Sequence, residues 1–412
     1  MIKYMVLIVL SCLLLKVLGR LTAFESVALG APDVNFSLSS NFTLEPDAKI
    51  ASLFHPTYNY SNYSNYSNYF NYSHPLSNKG VRVSNVSVHV VVDENTWLPI
   101  MFHAGTNNCE RSRCIFSKQS HPTPGSYDIF LSALPPGRTF PRKSSTTVKN
   151  VVITMESSVN YPGIVDPQTY TRLGIDLVIS FRPPVTTKPF LTLSYVNSTI
   201  DDLLHRNGSV SVLVPHAMRL PSMLVMVSNC DERFVKRMTI INGMSEFFDT
   251  LKYGGCFPHV KTVTPAKIVE CLSLPNGVHG KMCALRHVMF VFALENSYEN
   301  AYVTEKLWVA LETGTIPVYS VGQFPENRQL LPHPDAALVL EDFASLHHLT
   351  NYMHKIAKDP ALWYKHAIAW RSLPIGSISK KFLSAVDNSF LTLPCRLCEW
   401  WVSQHSSMRS TK

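Results

Sequence analysis

The chain has 412 residues, a formal net charge of +8 and 46% hydrophobic residues. This length exceeds one ordinary domain and fits two domains of ordinary size with additional segments. The composition argues against an intrinsically disordered chain, a collagen-like chain and a multi-span membrane protein. The basic residues are scattered without a long run, so we expect no nucleic-acid partner.

The N-terminus carries a targeting segment. Residues 4–15 (YMVLIVLSCLLL) are almost wholly apolar and lie between Lys3 and Lys16. A membrane span needs roughly 20 residues and a signal-peptide core about 7 to 15, and this segment falls between the two. An uncleaved anchor over residues 1–20 and a signal peptide cleaved near Ala28-Leu29-Gly30 therefore both stay open. Either one places the rest of the chain in the secretory lumen.

Residues 21–80 have the composition of an extended, glycosylated stem. They include a low-complexity tract of Asn-Tyr-Ser triplets, which has neither a helical period nor a buried-strand pattern. Nine Asn-x-Ser/Thr sequons occur in the chain, at Asn35, Asn41, Asn59, Asn62, Asn65, Asn71, Asn85, Asn197 and Asn207. Because sequons become glycosylated only in the lumen, they support the same compartment.

Outside the N-terminal apolar segment the chain has eight cysteines. They are Cys109, Cys114, Cys230, Cys256, Cys271, Cys283, Cys395 and Cys398. An even number in an oxidising compartment indicates disulfide bonds. The alternative is a zinc site formed by Cys109-x4-Cys114 together with Cys395-x2-Cys398.

From Val81 onward, short apolar runs alternate with helix-length segments. The predicted strands are residues 87–92, 127–131, 151–155, 175–179, 223–227, 287–294 and 316–319, and the predicted helices are residues 232–248 and 304–313. Gly314 follows the second helix, where a left-handed residue is favoured. This alternation predicts an α/β protein with largely parallel sheets. A second such pattern starts near Pro215, so we expect two Rossmann-like domains that face a cleft.

The segment from Phe290 to Val318 combines a strand, a polar loop, a helix and a short strand. Ligands in open α/β sheets bind beyond the carboxyl ends of strands, and helix N-termini favour phosphate groups. Lys306 would add a positive charge there, and Glu305 could accept hydrogen bonds from sugar hydroxyls. The segment predicts a nucleotide-sugar site, although a capped surface helix with an ordinary Glu-Lys pair would have the same residues.

Several short motifs in the chain together resemble one enzyme family. The most specific are Glu295-Asn296-Ser297, Tyr302-Val303-Thr304-Glu305-Lys306 and Gly314-x2-Pro317-Val318. Weaker ones are Met155-Glu156-Ser157-Ser158, Val227-Ser228-Asn229-Cys230, Tyr253-Gly254-Gly255-Cys256, Glu341-Asp342-Phe343 and Cys395-Arg396-Leu397-Cys398. The set resembles the α1,3/α1,4-fucosyltransferases of glycosyltransferase family 10, over about residues 97–400.

The resemblance implies the GT-B fold, with two Rossmann-like domains and the active site between them. Under this interpretation the chain comprises a signal anchor (1–20), a stem (21–80), an acceptor-side domain (81–214), a GDP-fucose-binding domain (215–380) and a tail that returns to the first domain (381–412). It implies a single-pass type II Golgi membrane protein with a lumenal catalytic domain. The expected partners are GDP-fucose and a glycan acceptor on glycoprotein or glycolipid, and no metal or other cofactor is expected to be essential.

The resemblance also assigns roles to individual residues. Glu156 corresponds to the general base, which takes a proton from the acceptor hydroxyl in an inverting transfer. Asn296, Tyr302 and Glu305 correspond to positions that contact the nucleotide sugar.

Two cations are expected to neutralise the diphosphate as GDP leaves. Lys306 and Arg237 match the corresponding positions of the family. Arg233 and Lys236 lie close to Arg237 in sequence, so a small slip of the alignment would exchange them.

The resemblance further implies that Cys109 and Cys114 are bonded to Cys395 and Cys398, which would fasten the end of the chain to the first domain. Local pairs, 109 with 114 and 395 with 398, are the alternative.

Three positions depart from the family pattern, and the last of them lies on the acceptor side. Ser158 replaces the usual proline, Ala301 stands where many members have aspartate, and residues 183–186 replace an acidic element. Antennal GlcNAc, the innermost GlcNAc of N-glycans and protein itself therefore stay open as acceptors. A lumenal GDP-fucose-binding pseudoenzyme and a GT-B transferase with another donor are the competing functions. The retained Glu156, together with the donor-side residues, favours the fucosyltransferase.

Overall fold

The computed structural model describes residues 86–409, apart from short segments at 103, 120–121, 124, 134–139, 142, 144, 184–187, 205–212, 232–234, 258–264 and 275–276. The expected signal anchor and stem lie outside the described residues. Of the helices that are described, none is long and apolar enough to cross a membrane.

The first sheet has seven strands in the order β2-β3-β1-β4-β5-β6-β7. They are β1 (Ser87–Asp93), β2 (Gly105–Asn108), β3 (Arg113–Gln119), β4 (Ile129–Ala133), β5 (Lys149–Thr154), β6 (Leu177–Ser180) and β7 (Phe190–Thr192). Neighbouring strands are parallel except β2 and β3. The central strands β4 and β6 are buried at every position, because parallel strands are covered on both faces.

The second sheet has five strands, all parallel, in the order β12-β11-β10-β8-β9. They are β8 (Leu220–Met226), β9 (Thr250–Tyr253), β10 (Val288–Phe292), β11 (Ile316–Tyr319) and β12 (Leu338–Val339). The predicted mixed α/β fold with largely parallel sheets is therefore confirmed. The predicted strands lie within about three residues of the observed ones, since continuous apolar runs locate a buried strand better than its ends.

Helices connect the strands and cover the sheets. The α-helices are α1 (Leu98–Met101), α2 (Pro167–Arg172), α3 (Ile200–Leu204), α4 (Arg237–Ser245), α5 (Ala266–Leu272), α6 (Gly277–Arg286), α7 (Glu305–Thr313), α8 (Leu346–Lys358), α9 (Pro360–Ala367), α10 (Lys380–Asp387) and α11 (Leu393–Arg409). Short 3-10 helices lie at Pro162–Val165, His216–Met218, Pro325–Leu330, Pro334–Ala336, Leu340–Asp342, Ala369–Ser372 and Ile375–Ser377.

Helix α7 begins one residue later than expected, at Glu305, and ends at Thr313 as expected. Gly314 follows it in the left-handed conformation with φ of 68°. The helix predicted over residues 232–248 is shorter than expected. It begins at Arg237 and ends at Ser245. Phe248 is buried directly before β9, so the chain leaves the helix early to enter the sheet.

The C-terminal helix α11 packs against the first sheet. Its residues Leu393, Leu397 and Val402 share one buried cluster with apolar residues of β1, β3 and β4. The side chain of Glu399 accepts hydrogen bonds from the backbone N–H and the guanidinium of Arg111, at 2.7 and 2.5 Å.

All eight cysteines outside the N-terminal segment form disulfides. The pairs are Cys109–Cys395, Cys114–Cys398, Cys230–Cys256 and Cys271–Cys283. The pairing implied by the family resemblance is confirmed, and the local pairs are not formed. The alternative of a zinc site formed by these four cysteines is wrong, because their sulfur atoms are joined in two disulfide bonds.

Candidate active site

A buried carboxylate organises the N-terminus of α7. Glu295 follows β10 and is 3% exposed. Its Oε1 accepts hydrogen bonds from the backbone N–H of Thr304 (2.8 Å) and from the Thr304 hydroxyl (2.9 Å). Thr304 directly precedes α7, so Glu295 supplies an acceptor for one of the N–H groups that the start of a helix leaves without an intrahelical partner. This contact fixes the start of α7 at the carboxyl end of β10.

Lys306 lies at the same helix N-terminus. Its Nζ is 3.0 Å from Glu295 Oε2, 3.4 Å from Glu305 Oε1 and 2.7 Å from Thr304 Oγ1. Burial disfavours the ammonium form, but Glu295 and Glu305 outweigh it and raise the pKa of Lys306. The ion pair between Lys306 and Glu305 is thus part of a partly buried network that also includes Glu295. Within this network Lys306 carries a positive charge in a fixed position.

Glu305 is flanked by two ammonium groups. Lys281 on α6 approaches its Oε1 at 3.8 Å, and Lys306 approaches the same oxygen at 3.4 Å. Burial alone would raise the pKa of Glu305, yet Lys306 and Lys281 bring it to about 2. Glu305 is therefore ionised and available as a hydrogen-bond acceptor.

Glu156 reaches this network from the other sheet. It follows β5, and the hydroxyl of Tyr302 donates to its Oε2 at 3.4 Å across 146 residues of sequence. Burial raises the pKa of Glu156, and this effect is only partly offset by the positive charge of Lys306 and by the Tyr302 hydrogen bond. A raised pKa is the property that a carboxylate general base requires near neutral pH.

Aromatic packing holds Tyr302 against the Glu156 loop. Its ring centroid is 5.3 Å from that of Phe181 and 6.4 Å from that of Tyr195. The Tyr195 hydroxyl donates to the carbonyl of Met155, the residue before Glu156. The Glu156 loop is therefore contacted by two neighbouring tyrosines.

Arg237 is buried at the first position of α4, with 3% exposure. Its Nη2 donates to the carbonyl of Asn229 at 2.7 Å, while its Nε is buried without a hydrogen-bond partner. Burial lowers the pKa of Arg237, and the charge of Glu295 opposes that effect. Lys236 is exposed, and Arg233 lies outside the described residues. Of the three basic candidates, Arg237 is the one shown near the network.

Asn296 lies half-buried between Glu295 and Ser297, where its Oδ1 accepts from the Ser297 hydroxyl at 3.4 Å. The structure thus brings Glu156, Tyr302, Glu305, Lys306 and Arg237 into one electrostatic network, with Asn296 next to it in the loop.

The turn after β9 approaches the loop after β8. Gly254 has φ of +106°, and a Cβ at this position would lie 2.4 Å from the carbonyl oxygen of Val227. The disulfide between Cys230 and Cys256 ties the same two segments together. This close approach accounts for the glycine in the Tyr-Gly-Gly-Cys motif and braces the loop that leads to Arg237.

Two residues of the network were missed by the sequence interpretation as site residues. Glu295 carried a signal, since it is an acid at a strand end followed nine residues later by Thr-Glu-Lys. Lys281 carried none, because only the packing of α6 beside α7 brings it to Glu305.

Within the described residues, one group of three side chains has the spacing of metal ligands, Cys271, Cys283 and His287. The two cysteines of that group are bonded to each other.

The comparisons with known proteins agree with the motifs. The family model described as glycosyltransferase family 10 (fucosyltransferase) C-term matches residues 218–412. An α-(1,4)-fucosyltransferase of Arabidopsis thaliana is 36% identical over 118 residues, which cover 28% of this chain and 27% of that protein. A GDP-fucose protein O-fucosyltransferase 3 of Xenopus tropicalis is 28% identical over 194 residues, covering 44% of this chain and 39% of that protein.

Among solved structures, an α1,3-fucosyltransferase with GDP-fucose matches at 14% identity with a TM-score of 0.44, covering 77% of this chain and 93% of that one. The matched segments span between about a quarter and two fifths of the length of the two curated relatives. Residues 218–412, slightly less than half of the chain, are therefore similar to the C-terminal part of the glycosyltransferase family 10 fucosyltransferases.

Proposed function

We propose that this protein is an inverting α1,3-fucosyltransferase that transfers L-fucose from GDP-fucose to a GlcNAc residue of a glycan. The observation that carries the proposal is the position of Glu156. This carboxylate has a raised pKa and lies beside Tyr302, within electrostatic range of Lys306. A base on one side and a cationic helix N-terminus on the other are the two groups that glycosyl transfer from a nucleotide sugar requires.

In the proposed step, Glu156 accepts the proton of the acceptor hydroxyl as that oxygen bonds to the anomeric carbon of fucose. The bond between this carbon and the β-phosphate oxygen breaks, and its electron pair leaves with GDP. Because GDP-β-fucose yields an α-linked product, the configuration inverts and a single base on the attacking face suffices.

The donor-side residues would stabilise the leaving group. Lys306 adds its ammonium to the free N–H groups at the start of α7, and the unpaired Nε of Arg237 is a buried donor without a protein partner. Both offer hydrogen bonds to phosphate oxygens, whose charge grows in the transition state. Glu305, Asn296 and Tyr302 would contact the nucleotide sugar, with Lys281 keeping Glu305 ionised.

We further propose the GT-B arrangement, with the acceptor at residues 81–214 and GDP-fucose at residues 215–380, and a lumenal catalytic unit on a type II Golgi membrane anchor. The apolar N-terminal segment, the sequons and the four disulfides support this location.

The acceptor is the least constrained part of the proposal. One similar protein is named an α-(1,4)-fucosyltransferase and another a GDP-fucose protein O-fucosyltransferase. Direct fucosylation of a protein hydroxyl is therefore the second candidate function. The same base and the same donor site would serve it.

The test is a transfer assay with the full-length chain expressed in a secretory host. Labelled GDP-fucose is offered with N-acetyllactosamine, a trimmed N-glycan core and a folded protein module, with and without a chelator. Glu156→Gln should abolish transfer and leave GDP binding, measured by calorimetry, within about twofold of the wild type. The matched control is Glu246→Gln, which changes an exposed carboxylate at the end of α4.

Transfer that survives the chelator and disappears only in Glu156→Gln would support the proposed metal-independent mechanism and identify the acceptor class. Full activity of Glu156→Gln would refute its role as the base. GDP-fucose binding without transfer to any acceptor of the panel would favour a binding protein that keeps the fold.

A further inference from the structure

A second buried carboxylate lies close to Glu156 and has no part in the function proposed above. Glu299 lies in the loop between β10 and α7 and is 6% exposed. Its Oε2 accepts hydrogen bonds from the Ser157 hydroxyl (2.7 Å) and from the backbone N–H of Ser158 (2.9 Å), and its Oε1 accepts from the Ser158 hydroxyl (3.0 Å). It also forms an ion pair with the guanidinium of Arg182.

These partners lie in the segments that follow β5 and β6 of the first sheet, and they include the two residues that directly follow Glu156. Arg182 Nη1 in turn donates to the Ser158 hydroxyl at 3.1 Å. We call the four residues Glu299, Ser157, Ser158 and Arg182 the Glu299 latch. Charge-assisted hydrogen bonds to a buried carboxylate are stronger and more directional than neutral ones, so the latch restricts the loop that carries Glu156.

The turn that holds Glu299 is itself braced. The Asn327 amide donates to the carbonyl of Glu299 at 3.0 Å and accepts from the N–H of Ala301 at 2.7 Å. The N–H of Tyr302 also bonds to the carbonyl of Glu299, at 3.2 Å. One rigid turn therefore contacts the Glu156 loop twice, through Glu299 at the two serines and through the Tyr302 hydroxyl at Glu156 itself.

The latch depends on a departure from the family pattern noted in the sequence. Ser158 stands where proline is usual, and a proline has no N–H to donate to Glu299. Serine supplies both that N–H and a hydroxyl, and each of them is bonded to the Glu299 carboxylate.

We propose that Glu299 is a positioning residue that holds the Glu156 loop against the turn before α7, through Ser157, Ser158 and Arg182. Its catalytic consequence rests on the function proposed above. A base displaced by about 1 Å loses on the order of a hundredfold in rate, whereas donor binding on α4 and α7 does not depend on the position of the loop. Loss of the latch should therefore lower kcat and leave the donor affinity intact.

The experiment uses two variants. Glu299→Ala removes every contact of the Glu299 carboxylate. Glu299→Gln keeps the side-chain size and some acceptor capacity but loses the charge facing Arg182. We expect kcat to fall at least tenfold in Glu299→Ala and by less in Glu299→Gln. The KM for GDP-fucose and the Kd for GDP should stay within twofold. Asn300→Ala, which changes the adjacent exposed side chain, is the matched control and should behave as the wild type.

Amide hydrogen exchange of the peptide that contains Ser158 gives a readout that needs no turnover. The exchange of this peptide should accelerate at least tenfold in Glu299→Ala and not in Asn300→Ala. Unchanged exchange would overturn the proposal, and so would a kcat within twofold of the wild type or a parallel loss of kcat and GDP affinity. If the wild type transfers no fucose, the exchange result still decides whether Glu299 holds the loop. If Glu299→Ala does not fold, Glu299→Gln is measured in its place, with a smaller increase in amide exchange and a smaller decrease in kcat expected. Unchanged exchange or a kcat within twofold of the wild type would again overturn the proposal.

Discussion

Replacing Tyr302 by phenylalanine removes one hydrogen bond from the proposed base and keeps the aromatic ring. The hydroxyl of Tyr302 donates to Glu156 Oε2 at 3.4 Å, while its ring packs on Phe181 and Tyr195. The phenylalanine ring preserves those ring contacts. Because the lost bond stabilises the ionised carboxylate, the pKa of Glu156, already raised by burial, should rise further.

The size of the shift follows from the geometry. A hydrogen bond to a charged group contributes roughly 1.5–3 kcal/mol. At 3.4 Å we expect between half of the lower value and the full lower value, or about 0.75–1.5 kcal/mol. At 1.36 kcal/mol per pH unit, this corresponds to about 0.5–1 unit. The base must be deprotonated to act, so activity rises with pH through the pKa of Glu156. The variant should lose roughly three- to tenfold below that pKa, and the loss should shrink above it.

The assay is the pH dependence of kcat/KM for fucose transfer, compared between wild type, Tyr302→Phe and Tyr195→Phe. The hydroxyl of Tyr195 donates to the backbone carbonyl of Met155 and makes no hydrogen bond to the Glu156 carboxylate. The acidic limb of the pH profile of Tyr195→Phe should therefore coincide with that of the wild type. An acidic limb of Tyr302→Phe that is unmoved, or that moves to lower pH, would refute the assignment of Glu156 as the titrating base.

Three further predictions concern stability. Replacing both cysteines of one bridge between α11 and the first sheet should lower the free energy of unfolding by about 3 kcal/mol, because the other bridge still closes the long loop. Replacing the cysteines of both bridges should lower it by about 8 kcal/mol in the entropic model. If the single-bridge and double-bridge variants lose the same free energy in denaturant unfolding, this account is wrong. In Gly254→Ala the new Cβ would lie 2.4 Å from a carbonyl oxygen, so the free energy of unfolding should fall by about 2 kcal/mol or more and GDP binding in calorimetry should weaken. Gly277→Ala is the control, because a Cβ at that position would have no other atom within 4 Å. Ala301→Gly should raise the free energy of unfolding by about 0.5–1 kcal/mol, since Ala301 has φ of 62°, and a lower melting temperature would count against this account.

The parts of the fold that the sequence predicted are those with strong local patterns. Strands β10 and β11 are continuous apolar runs, and Gly314 marks the end of α7 as a left-handed residue should. The start of α4 was placed too early, because nothing in the polar segment before Arg237 distinguishes a loop from a first helical turn.

In the candidate site, too, only residues that are close in sequence could be predicted from local pattern. Glu305 and Lys306 are adjacent in sequence, so their helix N-terminus could be inferred from local pattern alone. Glu156 lies 146 residues before Tyr302, and only the family resemblance indicated that the two belong together. The contacts of Lys281 and Glu299 arise from packing between distant segments, for which a single sequence holds no signal.

The two bridges between the first sheet and α11 also impose an order on biosynthesis. Cys109 is synthesised 286 residues before its partner Cys395, and Cys114 is synthesised 284 residues before Cys398. At about 5–20 residues per second, the earlier thiols wait about 15–60 s for the later ones to emerge. During that interval Cys109 and Cys114 are close enough in sequence to oxidise with each other. The two bridges can therefore be complete only after residue 398 has been synthesised, and a truncation before residue 395 leaves two thiols without their native partners.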